Sequence, residues 1–324
     1  MRLLVTGGAG FIGSNFVRRI VNGTYPGVSQ LTVLDKLTYA GTLKNLEMLP
    51  ADSFEFIKGD IANPDLISDL TKRHDAIVNF AAESHVDRSI TGARDFIETN
   101  VLGVQNLLAA SLQNQVSVFV QVSTDEVYGS ISQGSWDEEC PLLPNSPYSA
   151  SKASSDLLVR SYAKTHKLNA VTTRCSNNYG PYQFPEKVIP LFVSNLIDGK
   201  NVPLYGEGNN VRDWLHVDDH CDGIHRVLEG GRAGEIYNIG GGTELTNKEL
   251  TGLLLEACGA DWDSVDRVED RKGHDLRYSV DITKISTELG YTPQVDFKAG
   301  LTATVDWYRN NRSWWEPLKN RPAV

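Results

Sequence analysis

A short apolar run passes directly into a glycine-rich segment in Leu3-Leu4-Val5-Thr6-Gly7-Gly8-Ala9-Gly10-Phe11-Ile12-Gly13. The glycines satisfy G-x-G-x-x-G through Gly8, Gly10 and Gly13, and the wider G-x-x-G-x-x-G when Gly7 takes the place of Gly8. Glycine allows a tight turn and lets backbone N–H groups approach a pyrophosphate at the positive end of a helix. Since an apolar strand pattern precedes the motif and a helical pattern follows it, the segment predicts a dinucleotide-binding βα turn.

The second apolar run predicts which dinucleotide is bound. It ends at Asp35, 22 residues after Gly13, and a ribose-binding acid is expected about 20 residues after such a motif. A carboxylate there accepts hydrogen bonds from ribose hydroxyls and repels a 2′-phosphate, so NAD is favoured over NADP. The alternative is that Asp35 merely ends a strand. Gly59-Asp60-Ile61 follows the third run and is expected to flank the adenine, unless it is a plain turn.

The alternation of apolar runs with helical patterns predicts a doubly wound (Rossmann-type) α/β fold, whose parallel sheet is covered on both faces. The expected strands are 3–6, 31–34, 54–58, 76–80, 118–122 and 170–173, and the expected helices are 12–21, 64–72, 95–112 and 149–165.

After about residue 177 the pattern changes to prolines and short mixed elements, which predicts a smaller, mixed α/β C-terminal substrate lobe. We therefore divide the chain into an NAD-binding domain at 1–177 and a substrate lobe at 178–324, with some segments, such as 215–229, returning to the large domain. The expected elements of the lobe are helices 218–228, 247–257 and 302–309 and a strand at 235–239.

Composition limits the possible partners. The 324 residues carry a net charge of −10, with 40% hydrophobic and 22% charged residues, as in ordinary soluble proteins. The acidic balance argues against a nucleic-acid partner, and no apolar run approaches the roughly 18 residues of a membrane span. The first residues do not resemble a signal peptide, and the four cysteines form no Cys-x-x-Cys. A reducing, cytoplasmic location is expected.

Two histidines four residues apart, His216 and His220, could suggest a metal site beside Asp218. No third ligand has clear spacing, and Asp218 is in a position typical of a helix cap. We therefore predict no metal.

Tyr148 and Lys152 form a Tyr-x-x-x-Lys pair at the start of a predicted helix, where their spacing places both on one face. A free tyrosine has a pKa of about 10, and a nearby ammonium group lowers it towards the value that a base needs. The pair therefore predicts proton removal from a hydroxyl group.

Thr124, Asp125 and Glu126 follow another predicted strand, at the sheet edge where doubly wound folds bind ligands. One base suffices for the oxidation of an alcohol. An additional acid and an additional base indicate a second chemical step, and elimination of water fits best. The alternative is that the three residues only cap a turn.

These motifs, with Phe80-Ala81-Ala82-Glu83-Ser84-His85-Val86-Asp87-Arg88-Ser89 and Ser123-Thr124-Asp125-Glu126-Val127-Tyr128-Gly129, resemble the extended short-chain dehydrogenases/reductases. Within them, nearly the whole chain is similar to the dTDP-glucose 4,6-dehydratases. Sugar-nucleotide epimerases resemble it elsewhere but lack the Asp-Glu pair.

The resemblance implies a mechanism for a nucleotide-sugar substrate, dTDP-glucose. Tyr148 would take the proton from the glucose 4-hydroxyl, to which Thr124 is hydrogen-bonded, while hydride passes to NAD. Glu126 would remove the C5 proton, and Asp125 would protonate the leaving 6-hydroxyl. Hydride returned to C6 would then complete a 4-keto-6-deoxy sugar.

The resemblance also implies which residues bind the ligands. The expected cofactor-binding residues are Gly7, Gly10, Phe11, Ile12, Gly13, Asp35, Lys36, Thr38, Asp60, Ile61, Ala81, Thr99, Tyr148, Lys152 and Asn177. The expected substrate-binding residues are Ser84, His85, Thr124, Asn177, Glu186, Lys187, Val188, Pro190, Pro203, Tyr205, Arg212, Asn247, Arg271 and His274. Without the resemblance, Arg212 and Arg271 would be read as surface ion pairs, and His85 as a loop histidine. Lys272 stands where the family usually has a proline, so this loop is expected to be less rigid and to carry an additional positive charge.

Ala150, Ala153 and Ser154 are small residues that permit close packing of the helix at 149–165. With the helix at 95–112 it could form a four-helix homodimer interface, as in family members, or an intramolecular contact. Four alternative functions remain open: a 4-epimerase, the same dehydration on UDP-glucose, a non-catalytic NAD-binding regulator, and a decarboxylase acting on a glucuronate nucleotide.

Overall fold

The computed structural model describes residues 1–270 and 273–319. Its strands are β1 (Arg2–Thr6), β2 (Gln30–Asp35), β3 (Glu55–Lys58), β4 (Ala76–Asn79), β5 (Val118–Thr124), β6 (Ala170–Cys175), β7 (Asn177–Tyr179), β8 (Val202–Tyr205), β9 (Val211–His216), β10 (Ile236–Ile239), β11 (Glu244–Thr246) and β12 (Val265–Val268).

The α-helices are α1 (Phe11–Val21), α2 (Pro64–Thr71), α3 (Val86–Thr91), α4 (Arg94–Ile97), α5 (Val104–Gln113), α6 (Pro147–His166), α7 (Val188–Ile197), α8 (Val217–Gly230), α9 (Asn247–Cys258), α10 (Thr283–Leu289), α11 (Phe297–Asn310) and α12 (Arg312–Lys319). Short 3₁₀ turns lie at Leu43–Asn45, Ala51–Ser53, Asp125–Tyr128 and Trp262–Ser264, and a π-helical segment at Glu98–Gly103. None of the helices in the described part of the chain is long and apolar enough to cross a membrane.

Within these residues, seven parallel strands form the main sheet in the order β10-β6-β5-β4-β1-β2-β3. The chain runs outward from β1 to β3 and then crosses back to β4, so the strand order reverses between β1 and β4. A crevice opens at the carboxyl ends of the strands at such a reversal. The predicted doubly wound α/β fold is confirmed.

The sheet is buried on both faces because successive side chains of a strand point to opposite sides. Leu3 and Val5 belong to the apolar cluster that also contains Ile224 of α8. Leu4 lies between them in sequence but belongs to the cluster on the other face, with Leu107 of α5. This arrangement explains why the strands read as continuous apolar runs in the sequence.

The helix expected at 95–112 is not continuous in the structure. It is divided into α4, the π-helical segment Glu98–Gly103 and α5. A π turn widens a helix locally and is frequent near functional sites. Here it contains Asn100, which is buried and donates to Ser151 Oγ of α6 at 2.8 Å.

The smaller lobe contains the sheet β11-β9-β7 and the pair β12-β8. Its apolar core joins side chains of β7, β9, α7, α9, α11 and α12, including Tyr179, Trp214, Leu254 and Trp315. The strand expected in this lobe at 235–239 instead pairs with β6 as the outermost strand of the main sheet, β10. The division at residue 177 stays a prediction, since α8 also packs against α1 of the large domain.

Candidate active site

The glycine loop after β1 requires glycine at two positions. Gly7 has a φ of +68°, and a Cβ added there would lie 2.5 Å from Ala81 N. A Cβ at Gly13 would lie 2.3 Å from the Gly7 carbonyl oxygen. Because backbone atoms would clash in both cases, only glycine lets the loop pack against α1 and β4.

Asp35 ends β2 and holds the glycine loop. Its Oδ2 accepts a hydrogen bond from Ala9 N at 2.9 Å, and its Oδ1 accepts one from Leu37 N at 2.8 Å. Burial raises the pKa of Asp35, and the two backbone donors oppose that rise. A carboxylate has about four acceptor positions, so two remain for ribose hydroxyls, which is the fit that NAD needs.

A cavity of about 490 Å³ runs from this loop to the ends of β5 and β6 and into the smaller lobe. All fifteen residues expected to bind the cofactor line it: Gly7, Gly10, Phe11, Ile12, Gly13, Asp35, Lys36, Thr38, Asp60, Ile61, Ala81, Thr99, Tyr148, Lys152 and Asn177. Lys36 and Asp60 form an ion pair at 2.6 Å on its rim. The donor set and the close glycine packing fit a dinucleotide.

Thr124 ends β5 and caps the following 3₁₀ turn, accepting from Glu126 N at 3.2 Å. Its hydroxyl donates to Asp125 Oδ1 at 3.3 Å. Asp125 is 1% exposed, and its Oδ2 has no hydrogen-bond partner among the described residues. Burial, Glu126 and Asp213 raise the pKa of Asp125 well above its usual range, while Arg212 and Thr124 oppose that rise, so the site favours the neutral form of this carboxyl group.

Tyr148 and Lys152 lie in the first two turns of α6, which Pro147 opens and Ser146 caps. Both side chains are buried, and Lys152 Nζ donates to the Val122 carbonyl at 2.7 Å. Burial, Glu126 and Cys175 raise the pKa of Tyr148, and the Thr124 hydroxyl opposes that rise.

That Lys152 lowers the pKa of Tyr148 stays a prediction. Burial lowers the pKa of Lys152, and the nearby carboxylate of Asp156 opposes this decrease. The ammonium group of Lys152 is fixed by the hydrogen bond to the Val122 carbonyl of β5.

Contacts between the two lobes border the cavity at the segment after β4. Lys187 Nζ donates to the Ser84 carbonyl at 3.0 Å. Glu186 accepts from Tyr39 Oη at 2.8 Å and lies 3.7 Å from His85 Nε2. Burial lowers the pKa of His85, while Glu186 opposes that change. These residues of the predicted substrate set are therefore brought together from distant parts of the chain.

Arg212 on β9 is buried and stacks over the Tyr278 ring, with its guanidinium carbon 4.2 Å from the ring centroid. Its Nη2 donates to the Asp275 carbonyl at 3.0 Å. His274 contacts Asp270 at 2.6 Å and packs edge-on to Tyr205. These positions place cationic and aromatic groups at the far end of the cavity.

The remaining substrate candidates fall into three groups. Val188, Pro203 and Asn247 line the cavity. Pro190 does not: it is buried in the first turn of α7, where a proline is tolerated because that turn lacks intrahelical N–H bonds. Arg271 and Lys272 lie outside the described residues.

The structure also brings to the site residues that the sequence did not indicate. Ser123 Oγ and Gln183 Oε1 are buried at the cavity without a hydrogen-bond partner among the described residues. Tyr278 lines the cavity and donates to Asp275 at 2.6 Å. Asp213 contributes to the raised pKa of Asp125. Ser123 could have been found from its place beside Thr124, whereas the others depend on the folding of the smaller lobe.

The histidine pair of α8 has other roles. His216, and not Asp218, caps the helix, since its Nδ1 accepts from Asp218 N at 3.2 Å. His220 Nδ1 is hydrogen-bonded to Asn178 Oδ1 at 2.9 Å. In the part of the chain that the structure describes, no group of three or more His, Cys, Asp or Glu residues could hold a metal ion.

A doubly wound sheet, a glycine loop and a Tyr-x-x-x-Lys helix at one cavity define the class of extended short-chain dehydrogenases/reductases. The cavity also contains an acid pair at the end of β5 and a second lobe with cationic groups.

Comparisons with known proteins agree with this class. The family description for GDP-mannose 4,6 dehydratase matches residues 4–304. A dTDP-glucose 4,6-dehydratase of Streptomyces antibioticus is 62% identical, over 100% of this chain and 97% of that protein. The crystal structure of DesIV, a dTDP-glucose 4,6-dehydratase of Streptomyces venezuelae with NAD and TYD bound, has a TM-score of 0.97 and 63% identity, covering 98% of this chain and 100% of that one.

The fold alone does not separate dehydratases from epimerases. The UDP-glucose 4-epimerase of Thermotoga maritima, solved with UDP-glucose, has a TM-score of 0.88 at 31% identity, with 96% and 100% coverage. The higher identity of the dehydratases decides between them. The chain belongs to the dTDP-glucose 4,6-dehydratase family of the extended short-chain dehydrogenases/reductases, as its motifs predicted.

Proposed function

We propose that the chain converts dTDP-glucose into dTDP-4-keto-6-deoxyglucose with tightly bound NAD. The observation that carries this proposal is the pairing of Asp125 with Tyr148 at one cavity. Asp125 is a buried carboxyl group whose pKa is raised by its surroundings, which suits an acid for a leaving hydroxyl. A simple oxidation has no use for it.

The chain's own residues support cofactor binding. The glycine loop directs N–H groups to a pyrophosphate, and Asp35 keeps acceptor positions for a ribose and disfavours a 2′-phosphate. Bound NAD⁺ accepts hydride from sugar C4, later returns it to C6, and brings a positive charge to the site.

Tyr148 and Thr124 act on the sugar 4-hydroxyl. Tyr148 takes the proton of that hydroxyl as the C4–H bond is broken, and Thr124 orients the hydroxyl. Because the pKa of Tyr148 is raised by burial and Glu126, positive charge near the phenol is required before it can act as a base. Lys152, whose ammonium group is anchored on Val122 O, and the cofactor supply that charge.

Glu126 and Asp125 then carry the elimination. The 4-ketone acidifies the C5 proton, which Glu126 removes, and Asp125 gives its proton to the departing 6-hydroxyl, so that water leaves. Hydride added to C6 and a proton returned to C5 complete the product and restore the oxidised cofactor. The half-buried Glu126 and the fully buried Asp125 are thus suited to opposite tasks.

The nucleotide diphosphate is expected in the smaller lobe. Arg212, Asn247 and His274 would bind its phosphates and ribose, with Arg271 as a further candidate from the family resemblance, and Pro203 and Tyr205 would flank the base. A guanidinium group matches phosphate oxygens in a bidentate manner. The preference for thymidine over uridine rests on the relatives of this family.

The test is incubation of the purified chain with dTDP-glucose and, separately, with UDP-glucose. We expect a base-sensitive 4-keto absorbance and a C6 methyl proton signal from dTDP-glucose, with slower turnover of UDP-glucose. A sugar that keeps its 6-hydroxyl and changes configuration at C4 would instead establish an epimerase. Absence of turnover with both substrates would overturn the proposal.

We further propose that the chain forms a homodimer through a four-helix bundle of α6 and the α4–α5 segment of two copies. Ile97, Leu102 and Leu157 are 45%, 53% and 57% exposed on these neighbouring elements. Such an apolar surface is typical of an interface. The substitution Leu157→Glu should yield monomers by light scattering, while Leu143→Glu, at an exposed leucine elsewhere, should not.

A cytoplasmic location is likewise proposed. The four cysteines are unpaired, as expected in a reducing compartment.

A further inference from the structure

Asn45 links the last described helix to the glycine loop. Its Oδ1 accepts a hydrogen bond from Trp314 Nε1 of α12 at 3.0 Å. Its Nδ2 donates to the Ala9 carbonyl oxygen at 2.9 Å. Both side chains are buried, Asn45 at 2% and Trp314 at 6% exposure. The amide of one asparagine therefore connects residues 9 and 314.

Ala9 is the middle of the glycine loop and is held on both sides. Its N–H donates to Asp35 Oδ2 at 2.9 Å. Its carbonyl accepts from Thr42 N at 3.1 Å as well as from Asn45. With this peptide fixed, the N–H groups that follow in the loop keep one direction, and they are the groups that face a pyrophosphate.

The indole of Trp314 is itself fixed by its surroundings. It packs against Trp307 and Tyr182, with ring centroids 5.0 Å and 5.5 Å away. Arg18 of α1 lies over the Tyr182 ring at 4.2 Å and donates to the Asn45 carbonyl at 2.9 Å. The dinucleotide-binding helix and the C-terminal helices thus hold Asn45 from two directions.

We propose that Asn45 and Trp314 are positioning residues for the cofactor: the C-terminal helix fixes the Asn45 amide, which fixes the glycine loop in its pyrophosphate-binding form. The inference rests on the proposed function, since it takes NAD as the ligand of this loop. A preorganised loop loses less freedom on binding. Docking of the C-terminal helices and retention of NAD are therefore coupled, and each stabilises the other.

The test compares two identical substitutions in α12 of the full-length protein. Trp314→Phe keeps an aromatic ring at this position, although a smaller one, and removes the donor to Asn45. Trp315→Phe makes the same change at a tryptophan that is also buried, and it removes an indole N–H that donates to the Tyr308 carbonyl at 2.7 Å, within the C-terminal helices. Loss of one hydrogen bond predicts a dissociation constant for NAD⁺ about five- to tenfold higher in Trp314→Phe. Trp315→Phe should bind NAD⁺ as the wild type does. For each variant, calorimetry measures the dissociation constant for NAD⁺, and the NAD content of the purified protein measures how much cofactor is retained.

A second measurement needs no substitution. When NAD is returned to the protein from which it was removed, the indole N–H resonance of Trp314 should shift and the hydrogen exchange of this N–H should slow. The indole N–H of Trp315 should change less. Equal NAD affinity of Trp314→Phe and wild type, equal weakening by both substitutions, or an unmoved Trp314 resonance would each overturn the inference. Failure of the wild type to bind NAD would instead overturn the proposed function.

Discussion

The Thr124 hydroxyl donates a hydrogen bond to Asp125 Oδ1 at 3.3 Å, while Oδ2 of the same carboxyl group has no partner in the described structure. One oxygen of Asp125 is thus fixed by its neighbour and the other is left for a ligand. A buried polar atom without a partner costs free energy. We therefore regard this oxygen as the position from which the proton is delivered.

Asp125→Asn should inactivate the enzyme and stabilise it. The variant cannot supply a proton, so kcat should fall about 10²- to 10⁴-fold. The pKa of Asp125 is higher in the folded protein than in the unfolded chain. Folding is therefore favoured by this carboxyl group at pH values below its unfolded pKa. That contribution to stability is lost as the pH rises towards the folded pKa, because the unfolded chain releases the proton more readily. Asparagine does not titrate, so the variant does not lose stability at this position as the pH rises. The melting temperature of the variant should exceed that of the wild type at pH 7, and the gap should close near pH 4.

The control for that experiment is Asp137→Asn, an exposed acid in the segment after the site. It should leave both kcat and the melting temperature unchanged. An Asp125→Asn variant that is fully active, or less stable at pH 7, would contradict the assignment of Asp125 as a buried acid.

Glu126→Gln should stop the reaction one step earlier. Without this base the C5 proton remains, so the variant should show no incorporation of solvent deuterium at C5, while the absorbance of reduced nicotinamide still appears on adding substrate. Asp125→Asn should show the opposite pattern, with exchange at C5 and little water loss. Mass spectrometry of the recovered sugar nucleotide measures both the deuterium incorporation and the loss of water. Full dehydration by Glu126→Gln would contradict the assignment of Glu126 as the base that removes the C5 proton.

His220 should make the protein sensitive to acid. It is fully buried and hydrogen-bonded to Asn178, and burial lowers its pKa to about 3. The unfolded chain takes up this proton below about pH 6.5 and the folded chain does not, so stability falls as pH drops from there towards 3. Between these pH values, His220→Gln should reduce the slope of the free energy of unfolding against pH by up to about 1.4 kcal/mol per pH unit. Urea unfolding at several pH values measures this slope.

The exposed His166→Gln variant is the matched control for His220, and its slope should equal that of the wild type. Equal slopes in His220→Gln and wild type would show that His220 takes up its proton in the folded protein.

Arg174 and Asp156 form a buried ion pair at 2.9 Å beneath the site, with side chains 3% and 2% exposed. Removing one partner leaves a buried charge, so Asp156→Asn or Arg174→Met should cost about 3–5 kcal/mol in the free energy of unfolding. The double variant should cost less than the sum. Urea unfolding of all four proteins measures the coupling, and strictly additive losses would show that the pair is not coupled.

The sequence predicted the sheet well because each central strand is buried on both faces and flanked by a turn. The strand at 118–122 was found because of its apolar run, and the structure extends it to Thr124. The pairing of β10 with β6 in the main sheet is not contained in the sequence pattern at 235–239, because a short apolar run does not indicate which neighbour it will pair with. The π-helical segment at Glu98–Gly103 was missed because it keeps the helical pattern of side chains.

The site was predictable where neighbouring residues carry it and unpredictable where distant ones meet. The motif Ser123–Gly129 and the pair Tyr148 and Lys152 are local, so their spacing indicates their chemistry. The direction of the Lys152 ammonium group depends on where β5 ends, which spacing does not contain. The resemblance predicts Pro190 at the site, whereas the structure places it in the first turn of α7 and outside the set of residues that line the cavity.

By itself, the sequence determined the fold class, the glycine loop and the order of acid, base and tyrosine, because periodicity and short motifs are set by adjacent residues. Only the tertiary structure decided that the pKa of Asp125 is raised, since that pKa depends on burial and on Asp213 of β9. Only the tertiary structure placed Trp314 against Asn45, because the desolvation and the hydrogen bonds of a buried group are properties of all the segments that surround it.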